Sequence, residues 1–362
     1  MHYQRLYGVN NSPNRDEGVS VTKGIAIILM VIGHSLWVNC YARSYIYMFH
    51  MPLFFFMSGF CFKEKYLNDW KSFFKRRIKS LWWPFLKYNI IFMAFHNFFW
   101  NLNLYSVEGM EHPYMYDEYL DRLFHFLLMN GSEQFLCAYW FLNSLLAGSF
   151  IFFILRRFMK PHNILVVILL GTILLLLFSK YIPYSFSFIR IFYATAFISS
   201  GNVFFVSSWR SRINYLFILI FAVMIGIGSL LWPCEILTVG IKTFLPYYIT
   251  AIAGCLMTLG CADIIVKFNS FLREFLAFCG EHTMAVLTYH FVSFKLVTYI
   301  IVSLYSLPIS KLGTFPILEG YSSMGWWLAY AILGVGGSFL IWYFFITLKR
   351  SLQNLYILLS NH

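Results

Sequence analysis

Long apolar stretches separated by short polar segments dominate the chain. Each stretch is close to the roughly 20 residues that a helix needs to cross the hydrocarbon core of a bilayer. The pattern predicts ten membrane-spanning helices, at residues 22–39, 45–62, 81–100, 135–155, 163–179, 188–206, 213–231, 243–266, 283–304 and 325–348. The predicted fold class is therefore an all-α, polytopic integral membrane protein with about ten transmembrane helices.

The distribution of positive charge predicts the orientation of these helices. If the N-terminus is cytoplasmic, the inner segments hold nineteen Lys and Arg residues and the outer segments hold six. Cytoplasmic loops carry the excess of Lys and Arg in membrane proteins, so we expect both termini inside the cell. The predicted organisation is a cytoplasmic tail at 1–20, a membrane domain at 21–350 and a second cytoplasmic tail at 351–362.

Composition narrows the class of function. Only 12% of the residues are charged and the mean hydropathy is +0.67, whereas soluble domains average about 25% charged residues. A nucleic-acid partner is not expected, because the basic residues form no clustered face on a soluble module. The seven cysteines show no CxxC or Cys/His spacing, so we expect neither a metal site nor a disulfide framework.

Two histidines lie within the first two predicted spans. His34 follows Lys23 by eleven positions, which places it about 16 Å further along a helix. His50 lies near the start of the next span, at a similar predicted depth. Ionisable residues inside a membrane are costly and usually functional, so both are catalytic candidates. The alternative is that each imidazole bonds a neighbouring helix, and for His50 a carbonyl freed by Pro52 is a suitable partner.

A basic segment precedes the third predicted span. Arg76, Arg77 and Lys79 stand just before Trp82 and Trp83. Clustered guanidinium and ammonium groups bind phosphates, and Arg can do so through two parallel hydrogen bonds. The segment is thus a candidate site for a phosphate-bearing donor. The alternative is that these residues anchor the helix at the membrane interface.

Four further residues are candidates for contact with an acceptor molecule. Asn39 lies near the predicted level of the histidines, and Trp140 belongs to an aromatic cluster in the fourth span. Tyr289 and His290 lie about two turns into the ninth span. Aromatic rings can stack on sugar faces, but such clusters also form interfacial belts, and an intramembrane histidine can simply join two helices.

Several short motifs resemble one known family in their order along the chain. They are Lys23 with Gly33-His34-Ser35, the run from His50 to Gly59, Arg76-Arg77-Ile78-Lys79 ahead of Pro84, Trp140-Phe141-Leu142, and Gly280 to His290. Together, over residues 15–348, they resemble the membrane-bound acyltransferase-3 family, and its sugar O-acetyltransferase (fucose O-acetylase-like) branch most closely.

The resemblance implies an activity and a location. It implies transfer of an acetyl group from acetyl-CoA to a hydroxyl of a surface glycan or its lipid-linked precursor. Acetyl-CoA is then a co-substrate, and no tightly bound cofactor is expected. The implied location is the cell inner (plasma) membrane. It also implies that Lys23 and His34 form the catalytic pair, with Lys23 where the family often has Arg. The expected partners are acetyl-CoA, a carbohydrate acceptor and the lipid bilayer. The alternatives are a glycan transporter or flippase, and an enzyme using another donor such as succinyl-CoA.

Overall fold

The computed structural model describes residues 16–105, 112–182 and 185–360. Within these ranges the chain forms helices and no β-strand. The helices are α1 Glu17–Ser35, α2 Tyr41–Tyr47, α3 His50–Phe60, α4 Trp70–Arg77, α5 Trp83–Ala94, α6 His96–Asn101, α7 Tyr116–Leu127, α8 Trp140–Arg156, α9 Pro161–Phe178, α10 Ser185–Val206, α11 Tyr215–Leu231, α12 Ile241–Phe268, α13 Ser270–Glu281, α14 Thr283–Leu304 and α15 Trp327–Ser360. Most of the predicted tail at 1–20 and the end of the tail at 351–362 lie outside the described residues.

Seven helical segments are long and apolar enough to cross a membrane. They are Glu17–Ser35, Gln134–Arg156, Pro161–Tyr181, Phe186–Val206, Ile241–Phe268, Thr283–Leu304 and Glu319–Asn354. The prediction of a helical, multi-pass membrane protein is thereby confirmed. The count of ten and the orientation of the termini stay predictions.

The other three predicted spans are helical but shorter or interrupted. Window 45–62 divides at Met48 and Phe49 into α2 and α3. Window 81–100 divides at Phe95 into α5 and α6. Helix α11 is apolar throughout but has only 17 residues. Hydropathy alone did not reveal these breaks, because the residues at both of them are themselves apolar.

Helix α1 lies at the centre of the bundle, in contact with α3, α12, α13, α14 and α15. Glycines allow its closest contact, with α13. A Cβ atom at Gly24 would lie 1.9 Å from the carbonyl oxygen of Leu276, and one at Gly280 would lie 1.9 Å from that of Ser20. Small residues at such a seam let two backbones approach closely. This contact holds Lys23 beside the end of α13.

A buried polar cluster holds the connection between α6 and α8. Nδ1 of His96 lies 2.9 Å from Oε2 of Glu133, and both side chains are fully buried. The hydroxyls of Tyr105 and Tyr114 also donate to Glu133, at 3.1 and 3.2 Å. A buried charge needs such partners to offset its desolvation. The cluster positions Gln134–Tyr139, the 3₁₀ segment that leads into α8.

Candidate active site

One cavity of about 550 Å³ runs along α1 inside the bundle. Lys23 and His34 both line it, so it extends over the eleven residues between them. Residues from α2, α3, α4, α8, α13, α14 and the loop between α11 and α12 also line it. The structure thus brings six of the predicted site residues to a single cavity: Lys23, His34, His50, Arg76, Arg77 and Trp140.

The two predicted catalytic histidines lie at one end of this cavity. Nδ1 of His34, in the last turn of α1, is hydrogen-bonded to the hydroxyl of Tyr47 at 3.1 Å. Nδ1 of His50 lies 3.0 Å from the carbonyl oxygen of Ile46. A carbonyl only accepts, so Nδ1 of His50 carries the proton and its Nε2 is unprotonated in the neutral ring. Nε2 of each ring bonds no other group in the described part of the chain.

His290 contacts His34 without lining the cavity. The two imidazole rings are stacked, with centroids 5.6 Å apart. Nδ1 of His290 donates to the carbonyls of Val286 and Leu287, at 3.0 and 3.1 Å. Its Nε2 is buried and has no hydrogen-bond partner among the described residues. His290 therefore lies behind His34, and its predicted contact with an acceptor stays a prediction.

The basic residues lie at the other end of the cavity. Nη2 of Arg77 donates to Oγ of Ser58 at 2.8 Å, and Nη1 of Arg76 donates to the hydroxyl of Tyr66 at 3.0 Å. Neither forms an ion pair with a carboxylate in the ranges that the structure describes. Burial, and secondarily the charge of Arg76, lowers the pKa of Arg77 to about 10. Arg77 therefore remains a cation at neutral pH.

Lys63 joins this basic end, whereas Lys79 does not. Lys79 is exposed on the π-helical turn Ile78–Trp82. Residues two positions apart on a helix do not share a face, so Lys79 points away from the cavity that Arg77 lines. Its role in binding a donor stays a prediction.

The four predicted acceptor contacts are separated in the structure. Trp140 is partly exposed and lines the cavity. Asn39 is exposed in the loop after α1, outside the cavity lining. Tyr289 is 7% exposed and packs between Tyr88 and Phe345, with ring centroids 6.0 Å away in each case. Of the four, only Trp140 lines the cavity that holds His34, His50 and the basic residues, whereas His290 contacts His34 from outside that lining.

Sequence reasoning did not include Lys63, Tyr47 or Glu235 among the site residues, although all three line the cavity. Tyr47 bonds His34, and Glu235 lines the cavity from the loop between α11 and α12. Glu235 had a usable signal, because it is the one acidic residue between positions 213 and 262. Tyr47 had none, since tyrosines are frequent at membrane interfaces. Across the described ranges, no group of three or more His, Cys, Asp and Glu side chains could hold a metal ion.

The fold and the cavity together define a multi-pass membrane protein with an internal site that has histidines at one end and cations at the other. The chain belongs to the acyltransferase-3 family: the family's sequence profile, described as an acyltransferase domain, matches residues 16–343. It is therefore a membrane-bound acyltransferase. No curated protein and no solved structure shows significant similarity to the chain.

Proposed function

We propose that the protein transfers an acetyl group from acetyl-CoA to a hydroxyl of a surface glycan or its lipid-linked precursor, at the inner membrane. The observation that carries this proposal is the continuity of the cavity from Arg76 and Arg77 to His34. Membership of an acyltransferase family favours an enzyme over the glycan transporter considered above. The sugar O-acetyltransferase branch, suggested by the motifs, is part of the proposal.

The basic end suits the donor. Coenzyme A carries several phosphate charges at one end and its thioester at the other. Lys23, Lys63, Arg76 and Arg77 offer four cations within one cavity, and charge-assisted hydrogen bonds to phosphate are the strong ones. Lys23 and His34 are about 16 Å apart along α1, a distance that an extended pantetheine arm can cover. The phosphates can therefore stay at the basic end while the thioester reaches His34.

The histidine end suits proton transfer. When Nδ1–H of His34 donates to the oxygen of Tyr47, the lone pair of Nε2 is free to take a proton. In the proposed step, Nε2 accepts the proton of the acceptor hydroxyl as the hydroxyl oxygen bonds to the thioester carbon. The carbon–sulfur bond then breaks, and the imidazolium returns the proton to the departing thiolate. Nε2 of His50 is a second acceptor that can hold another hydroxyl in place.

Substitution of His34 tests this function. General-base loss typically lowers the rate about 10²–10⁴-fold, so purified His34→Gln and His34→Ala should transfer almost no radiolabelled acetyl group from acetyl-CoA. Both should still insert into membranes and bind acetyl-CoA. If His34→Gln kept more than about a tenth of the wild-type turnover, the catalytic role would be contradicted. The loss in rate would then be less than about tenfold, which is smaller than the loss of a general base causes.

The chain offers a matched control for this experiment. Like His34, His282 has Nδ1 in a hydrogen bond, here to the backbone carbonyl of Phe278 at 2.9 Å, but it packs against Trp342 outside the cavity lining. His282→Gln should keep its activity.

The donor is tested by supplying succinyl-CoA in place of acetyl-CoA. The class of acceptor is tested by comparing the masses of surface glycans with and without the gene, where one acetyl increment is expected.

A further inference from the structure

A second cavity of about 220 Å³ lies next to the first, and Trp140 lines both. Six of the ten residues that line it are polar. They include Asn130 before α8, Asn143 on α8, and Ser187 and Arg190 on α10. Pockets of this kind, with a few polar groups beside an aromatic side chain, are typical binding sites for small molecules. Because the second cavity shares Trp140 with the first, it can bind one part of an acceptor molecule whose other part lies in the first cavity.

Arg190 is the charged group of this second cavity. Its guanidinium carbon lies 4.6 Å from the ring centroid of Phe186 and 5.9 Å from that of Trp140. Within the part of the chain that the structure describes, its one hydrogen bond is a long one, from Nη2 to Oγ of Ser187 at 3.4 Å. Among the same residues the buried Nε has no hydrogen-bond partner, and no carboxylate pairs with Arg190.

Such an arrangement is unfavourable without a ligand. A partly buried charge with an unsatisfied N–H loses hydration and regains little from the protein. The guanidinium can donate two parallel hydrogen bonds to a carboxylate or a phosphate, which would supply both the charge and the missing acceptor. The chemistry of the site therefore favours an anion over a neutral group.

The neighbouring side chains suit a sugar. Asn143 uses Nδ2 to donate to the carbonyl oxygen of Met129 at 2.8 Å, and its Oδ1 accepts no hydrogen bond from the described residues. That oxygen can accept from a sugar hydroxyl. The partly exposed indole of Trp140 offers a flat face towards which a pyranose ring can stack. Trp140 lies on the border of the two cavities, and Asn143 lines the second cavity together with Arg190.

We propose that this second cavity binds an anionic group, a carboxylate or a phosphate, of the acceptor glycan, with Arg190 as the anion-binding residue. The inference rests on the proposed function and adds a substrate class to it: the acceptor is an acidic glycan. Trp140 then packs against the adjoining sugar, and a hydroxyl of that sugar enters the first cavity. The anion can belong to a uronic acid or to a sugar phosphate, since both accept paired hydrogen bonds from a guanidinium. Binding measurements with one probe of each kind distinguish the two.

Equilibrium binding without acetyl-CoA tests the site directly. The probes are fluorescently labelled trigalacturonate, trigalactose and trigalactose phosphate, followed by anisotropy on the purified full-length protein. We expect one anionic probe to bind at least about tenfold more tightly than trigalactose, as for a charge-assisted hydrogen bond. Arg190→Gln should remove that preference. Arg190→Lys should keep part of it, because the charge remains while the fork of donors is lost.

Arg212→Gln is the matched control, since Arg212 also lies over an aromatic ring, 5.4 Å from the centroid of Trp209, but lines neither cavity. It should bind all three probes as the wild type does. Equal affinity of the wild type for neutral and anionic probes would overturn the proposal, as would an unchanged preference in Arg190→Gln. The anionic probe can bind through Arg190 even if the purified protein transfers no acetyl group from acetyl-CoA in the separate transfer assay. In that case the anion site is supported and the proposed function is contradicted.

Discussion

Replacement of Tyr47 by Phe removes a single oxygen atom from the proposed proton-transfer site. That oxygen lies 3.1 Å from Nδ1 of His34 and is the only hydrogen-bond partner of this ring within the described residues. The rest of the side chain is held independently. Its ring packs against His50 with centroids 4.8 Å apart, and Arg43 lies 4.6 Å from its centroid. The substitution should therefore leave the packing intact.

The size of the effect follows from the charge that develops on His34. A hydrogen bond between neutral groups contributes about 0.5–1.5 kcal/mol, and one to a charged group about 1.5–3 kcal/mol. His34 becomes an imidazolium in the proposed step, so the larger range applies to the transition state. The neutral bond already exists before the reaction, so kcat reflects only the difference between the two ranges, about 1 kcal/mol. At about 1.36 kcal/mol per tenfold change in rate, Tyr47→Phe should lower kcat by roughly fivefold.

The assay is steady-state acetyl transfer with separate measurement of kcat and of KM for acetyl-CoA. Tyr47 acts through His34 as a positioning residue, so kcat should fall while KM for acetyl-CoA stays the same. Tyr45→Phe is the control on the same helix, because the Tyr45 hydroxyl donates to the carbonyl of Ala222 at 3.3 Å and lies off the cavity lining. A loss in kcat below about twofold, smaller than even a neutral bond predicts, or an equal loss in both variants, would refute the reasoning.

Two further predictions concern the donor and the orientation. Arg76→Ala and Arg77→Ala should each raise KM for acetyl-CoA about tenfold or more, by loss of a charge-assisted contact to phosphate, with a smaller change in KM for the acceptor. Unchanged donor kinetics in both variants and in the double variant would leave these residues as membrane anchors. A reporter fused after His362 should be cytoplasmic and one inserted near residue 115 external, because of the loop charges, and the opposite pair of results would reverse the orientation.

Much of the site could be predicted because it depends on local geometry. Lys23 and His34 share one regular helix, so their spacing in sequence gives their separation in space. The same holds for Arg76 and Arg77, which enter the cavity from consecutive positions of α4. His50 was predicted at a depth similar to that of His34 because the second span was expected to begin near residue 45. In each case the position depended on helix rise and on few degrees of freedom.

The remaining features depend on how helices rotate and break, which hydropathy does not encode. Tyr289 and His290 are adjacent in sequence, yet one packs against Phe345 and the other against His34, because successive residues on a helix point about 100° apart. The π-helical turn that contains Lys79 has no signature in the apolar pattern. Tyr47, which bonds His34, is the last residue of α2, directly before a break at Met48 and Phe49 that hydropathy does not show.

The geometry of α1 explains how a single helix can contact both substrates under the proposed function. Its Lys23 end lies against α13 through the glycine seam, so it cannot shift along the bundle without a clash of backbones. Its other end places His34 beside Tyr47 and His290, and Tyr47 in turn packs against His50. A rigid helix of this length holds the cations and the proton acceptor at a constant separation, and positioning of this kind lowers the barrier for a reaction between two bound groups. Coenzyme A therefore need not pass through the protein for its acetyl group to reach an acceptor at the far end.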